Sequence, residues 1–170
     1  LAENLENEPN TRMVVEISSF QSGRLQHLNI EGLLWTNFSE NHLDVHEDME
    51  TYFAHKWHLV SRLTRPLFVM GQSVFEYLTR TKRELPDFAL IVSHAPNSPA
   101  DTLPAGTVFE QPPFDEDFRL CVTFGERIGV PRILFHQAAS TFQLPKHRLT
   151  KIAELNGVIF FNDAKSSTFE

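Results

Sequence analysis

Cysteine is nearly absent: Cys121 stands alone in 170 residues. No intrachain disulfide can form, a cysteine-rich zinc site is excluded, and a reducing compartment fits. Long apolar runs are also missing, and none approaches the roughly 20 residues a membrane span needs. Positive charge is in deficit, with 15 Lys and Arg against 22 Asp and Glu and a net charge of −7. A domain that gripped long nucleic acid through its phosphates would be basic, so duplex binding is disfavoured. The 7 glycines form no glycine-rich phosphate loop, and no nucleophile elbow occurs. The acidic, polar opening residues carry no signal peptide. With no Met at its start and a strand close to its end, the chain reads as a segment cut from a longer protein.

What is present is ordinary globular composition, 41% hydrophobic and 22% charged. One domain is the natural expectation for this length. Fifteen Phe supply many core anchors, so any single Phe is a weak functional clue. Residues 1–11 (LAENLENEPNT) read as a linker or arm, and 12–170 as a single domain. Strands are expected at Met13 to Ile17, Leu25 to Trp35, Tyr52 to Val60 and Leu67 to Met70. Residues 37–51 read as a polar loop or short helix. Helices are expected over Gln72 to Leu85, ended by Pro86, and over Asp115 to Ile128, with Asp115 as N-cap. A third helix is expected from Pro145, with Leu149, Ile152 and Ala153 on one face and Gly157 closing it. Phe88 to Ser93, Val158 to Phe161 and Arg132 to His136 read as buried strands. The five prolines in 95–113 imply a structured loop. The whole reads as α+β.

Chemistry-bearing clusters have plain structural alternatives. His42 and His46 are four apart and His55 and His58 three apart, without the pattern of a helical zinc site, so no metal is assigned. Asp115-Glu116-Asp117 reads as helix capping and not as a catalytic dyad. Cys121 reads as buried and inert.

Three pieces recur in an order that suggests a family. They are Phe68-Val69-Met70-Gly71 with the helix to Leu85 and the strand to Ser93, then Val108-Phe109-Glu110-Gln111, then Leu144 to Asn162. Their order and spacing resemble the cap-binding domain of the orthomyxovirus polymerase basic protein 2, in a divergent, thogotovirus-like form. The resemblance implies a mixed, largely antiparallel β-sheet packed against a cluster of helices. It also implies a non-catalytic fragment of a viral RNA polymerase subunit that holds 7-methylguanosine caps for cap-snatching transcription. Methylated guanine is cationic, so such a site needs two stacking rings, a carboxylate for the guanine edge and basic groups for the triphosphate.

Carried over by motif, Phe109 is one ring, Phe20 a second aromatic, His147 a triphosphate contact and Arg80 a guanine-edge contact. Each also has a bland reading: Phe109 and Phe20 as core, His147 as an exposed helix start, Arg80 as a solvated helix end. The ungapped register departs from the family, placing Ser61 at the opposing ring and Arg65 at the carboxylate. An alternative register puts His46 and Glu50 there, at the cost of a long insertion. Losing one ring and the carboxylate would remove roughly 3–6 kcal/mol. The expectation is therefore a cap-binding-like domain that binds the standard cap weakly or not at all. It needs no cofactor, its partners are other polymerase subunits and capped host RNA or a nucleotide, and its place is the host nucleus and the virion. The alternatives are a structural docking module of the polymerase and an unrelated nucleotide-using α/β enzyme. Consecutive parallel crossovers would be the sign of the last.

Overall fold

The computed structural model describes residues 12–43, 45–93 and 102–166. Its centre is β2 (Phe68–Gly71), four residues that are all buried. Side chains alternate across a strand. Phe68 and Met70 join a core with Trp35, Phe38, Tyr52, Phe53, Val74, Tyr77 and Leu78. Leu67 and Val69 turn to the other face, against Val92 and Leu120. A strand apolar on both faces has to sit inside a covered sheet.

The neighbours of β2 are β1 (Leu33–Trp35) and β3 (Ala89–Val92), in the order β1-β2-β3. Both pairings are parallel, with Leu33 opposite Phe68 and Phe68 opposite Ala89. Parallel neighbours need long crossovers. The first contains α2 (Met49–Trp57) and a 3-10 turn at His58–Arg62. The second contains α3 (Gln72–Arg80). These helices cover one face, and α4 (Phe114–Arg127) covers the other. A third cluster joins α4 to α5 (Arg132–Thr141) through Phe118, Val122, Ala139 and Phe135. A Cβ on Gly125 would overlap the Phe135 ring, so glycine there sets the α4–α5 approach.

Apart from this body stands an antiparallel hairpin, β4 (Thr150–Leu155) with β5 (Val158–Asn162). Asn156 and Gly157 both have positive φ, 52° and 78°, the backbone of a two-residue hairpin turn. α1 (Ser19–Ser22) is a single turn with a complete capping box from Ser18 and Gln21. Among the described residues, no helix is long and apolar enough to cross a membrane.

The coarse expectation of helices with small sheets holds, but the main sheet is parallel and not largely antiparallel. Residues 52–60 are helical, because Asp48 caps the segment by accepting from the Thr51 N–H at 2.7 Å. Residues 132–136 are helical too, following Pro131 at the N-cap. In place of the expected third helix stands the hairpin, because Asn-Gly between two apolar runs makes a turn. β5 is exposed, not buried. Pro113, not Asp115, occupies the cap of α4. Residues 13–17 are extended without strand pairing, and of 25–35 only Leu33–Trp35 is strand. The expected arm at 1–11 and the start of the proline-rich loop lie outside the described residues.

Phe53 is fully buried, with rings from Trp35, Phe38, Trp57 and Tyr77 around it. Phe53→Ala is expected to lower stability by about 3–5 kcal/mol, read as a shift of the urea midpoint.

Candidate functional site

In open parallel sheets, ligands collect where the carboxyl ends of the strands leave a crevice. Here those ends are pressed together. A Cβ on Gly71, at the end of β2, would overlap the Thr36 carbonyl oxygen just beyond β1. The Trp35 Nε1–H donates to the Asn37 carbonyl at 2.9 Å, and the Phe38 N–H donates to Ser73 Oγ at 2.9 Å. The loop leaving β1 is thereby tied to the start of α3. From α4, Glu116 Oε1 accepts the Gln72 N–H at 2.8 Å, so the N-terminus of α3 is capped from another element.

Beside this junction, α1, the loop after β1 and α2 bring several rings together. The capping box of α1 fixes Ser19 and Phe20. The backbone turns at His42, whose carbonyl accepts the His46 N–H at 2.9 Å. The turn sends both imidazoles to Phe20, His42 edge-on at 5.4 Å and His46 stacked at 5.1 Å. Tyr52 of α2 meets the same two rings, at 5.8 and 5.1 Å. His46 is 4% exposed, and its Nε2 lies 2.9 Å from Ser19 Oγ.

One turn further along α2, the Lys56 ammonium lies 5.6 Å from the ring centroids of both Trp35 and Tyr52. Burial pushes its pKa below the ordinary lysine value, and the Glu16 carboxylate pulls it partly back. Ionisable groups perturbed by burial gather at functional sites, which makes Lys56 the candidate here. Across the crevice, burial raises the Asp117 carboxyl, Glu116 raises it further, and Arg148 opposes them. Cys121 sits on an exposed position of α4, correcting its expected burial. Among the described residues, no group of three or more His, Cys, Asp or Glu is arranged to hold a metal ion.

The residues singled out from sequence are scattered. Phe20 and His46 meet in this wall. Phe109 lies instead between Phe118 and Phe142, at 5.5 and 5.1 Å, in the α4–α5 cluster. His147 is exposed beside the hairpin, its Nδ1 3.1 Å from Asn162 Nδ2. Arg80 stacks over Tyr77 at 5.3 Å and lines a groove of about 520 Å³ with Phe38, Met49 and Glu76. Glu50 pairs with Arg83. Ser61 donates to the His58 carbonyl at 2.7 Å, and Arg65 pairs with Glu31 at 3.4 Å. Sequence reasoning passed over Glu16 and Lys56. The available signal was a lone lysine within the apolar and aromatic run of 52–60.

The profile of the Mur ligase middle domain matches residues 1–128. The chain is 31% identical to the UDP-N-acetylmuramoylalanine--D-glutamate ligase of Nitratidesulfovibrio vulgaris, over 93% of this chain and 34% of that protein. It is 31% identical to the ligase of the same name from Chlamydia caviae, over 91% of this chain and 36% of that protein. The Streptococcus suis ligase is 25% identical over 91% of this chain and 38% of its own length. The chain thus spans about a third of the length of the curated relatives it matches. These findings overturn the viral reading. The orthomyxovirus resemblance, the cap-binding role, the polymerase and capped-RNA partners, the non-enzymatic assignment and the host-nucleus and virion location all fall with it.

The Lys56 shift carries a consequence for stability. Its folded pKa is below its unfolded one, so the unfolded chain binds more protons in that interval and stability rises with pH there. The burial penalty is fully present below the folded pKa and relieved toward the ordinary value of 10.5. Lys56→Met is expected to be more stable than the parent at pH 7, with the difference shrinking as pH rises toward 10. Urea midpoints across pH 6 to 10 measure this.

Proposed function

Because this chain belongs to the Mur ligase middle-domain family, we propose that it is part of a bacterial enzyme that joins D-glutamate to UDP-N-acetylmuramoylalanine. The relatives carrying that name support the reading. The observation that carries it within the chain is Lys56 of α2, half-buried over the rings of Tyr52 and of Trp35, the last residue of β1.

The chemistry is amide formation. A carboxylate on the muramoylalanine side has to meet the amine of D-glutamate, and its oxygen must first become a leaving group. Phosphoryl transfer from a nucleoside triphosphate is the general route. Every step gathers negative charge on oxygen, at the carboxylate, at the transferring phosphoryl group and at the tetrahedral intermediate. A cation fixed in a partly dry crevice stabilises such charge far better than one in water. Lys56 is that cation, positioned by the rings of Trp35 and Tyr52. The Glu16 carboxylate partly opposes the desolvation that lowers its pKa. UDP-sugars and triphosphates place the reaction in a bacterial cytoplasm, in accord with the single cysteine.

The intact protein, supplied with UDP-N-acetylmuramoylalanine, ATP and radiolabelled D-glutamate, is expected to form a labelled UDP product and release phosphate. Lys56→Ala is expected to lower kcat by about 10²-fold or more, and Glu16→Gln by a similar factor, with unchanged circular dichroism. An intact, folded parent protein that incorporates no D-glutamate would sink the reading.

A further inference from the structure

The groove beside the start of α3 has a volume of about 520 Å³, within the range that takes a small organic ligand. One wall is a stripe of α3. Ser73, Glu76, Tyr77 and Arg80 recur at the three- and four-residue spacing that puts side chains on one helix face. The other wall is Phe38 to Glu40 of the loop after β1, joined by Met49 of α2. Ser73 Oγ accepts the Phe38 N–H at 2.9 Å, so the two walls are held together. The apolar part of the lining is fixed as well. The Phe38 and Tyr77 rings meet edge to face at 4.6 Å, and both are buried. The Tyr77 hydroxyl donates to the Met49 carbonyl at 3.4 Å, so its polar end is already engaged.

The charges of the groove are not spent on one another. Among the described residues, the Arg80 guanidinium has no carboxylate partner and lies over the Tyr77 ring at 5.3 Å. Glu40 likewise has no basic partner among the described residues. Both side chains belong to exposed residues. Glu76 is steadied by Gln72, whose Nε2 donates to its Oε1 at 2.9 Å. An oriented cation, two carboxylates and an apolar lining complement a molecule that carries one carboxylate, one ammonium and an apolar side chain.

We propose that this groove binds a free α-amino acid with an apolar side chain. Arg80 meets its carboxylate, Glu40 and Glu76 accept from its ammonium, and Phe38, Tyr77 and Met49 receive its side chain. Two carboxylates against one guanidinium leave no place for a second carboxylate on the ligand. The groove therefore rejects D-glutamate and is distinct from the place of the acceptor in the ligation. A bound amino acid joins the loop after β1 to α3, and with them the carboxyl ends of β1 and β2.

The test is binding to the intact protein, read by calorimetry and by saturation-transfer NMR with L-leucine as the probe. L-Leucine is expected to bind saturably with Kd of about 1 mM or lower. Isoamylamine and 4-methylpentanoate, which each lack one of its charges, are expected to bind at least about tenfold more weakly. D-Glutamate is expected not to displace it. Arg80→Gln and Glu40→Gln, at exposed positions, are each expected to weaken leucine at least about tenfold with unchanged circular dichroism. Arg65→Gln, at the amino ends of the strands, is expected to leave it unchanged. No saturable leucine binding by the folded parent would overturn the proposal. So would equal binding of isoamylamine, or an affinity that neither Arg80→Gln nor Glu40→Gln alters. Binding is read without turnover, so the outcome is separate from that of the proposed function: a protein that binds leucine and ligates nothing loses only the latter.

Discussion

The structure depends on the burial of β2 from both sides. Phe68, Val69 and Met70 have no solvent exposure at all. A strand in that position can leave no backbone N–H or C=O unpaired, so it must have a neighbour on each edge. Parallel neighbours in turn require crossover segments, and here α2 and α3 supply them while filling one of the two cores. Parallel strands also bring their carboxyl ends to one side. On that side the loop after β1 is tied to the start of α3 through the Phe38 N–H and Ser73.

The cost of that crevice is concentrated close to it. Polar groups buried among aromatic rings lower stability unless each is paired. Ser19, Ser22 and His46 satisfy one another or a neighbouring carbonyl. Lys56 is the exception in kind: its half-buried ammonium lies over the faces of two rings. A protein selected only for stability would put an apolar side chain there, as sites held for function commonly trade stability for reactivity. Elsewhere charge is handled cheaply. Glu126, for example, is held below its usual carboxylate range by its hydrogen bonds to Arg132 at the surface.

Legibility in the sequence followed how local each determinant is. The run β2–α3–β3 could be read in outline because an apolar strand and an amphipathic helix are local signals, although α3 ends at Arg80 and not at the Leu85 expected from Pro86. α2 could not, because Tyr52, Phe53 and Trp57 have strong strand propensity and only the cap at Asp48 reveals the helix. The hairpin was lost to an ambiguity: a glycine after an asparagine ends helices and also turns hairpins. The site was less legible still. Phe20 and His46 drew notice for an unrelated chemistry, and the contact that joins them spans 26 positions. The setting of Lys56 exists only once rings from β1 and α2 lie beside it.

The mistaken resemblance is instructive in the same terms. An ordered series of helices feeding strands is what any crossover unit displays, so its order and spacing carry topology and little chemistry. The discriminating residues were those that broke the pattern. Ser61 and Arg65 precede β2, and the structure shows what they do there. Ser61 closes a 3-10 turn through the His58 carbonyl, and Arg65 reaches Glu31, which precedes β1. The backbone bridge between Ile30 and Leu63 lies at the same edge. All of these mark the amino ends of parallel strands, opposite the edge where such a sheet presents its ligands. A serine and an arginine that could not hold a methylated base are therefore no decayed pocket: they are closing contacts at the amino ends of the strands.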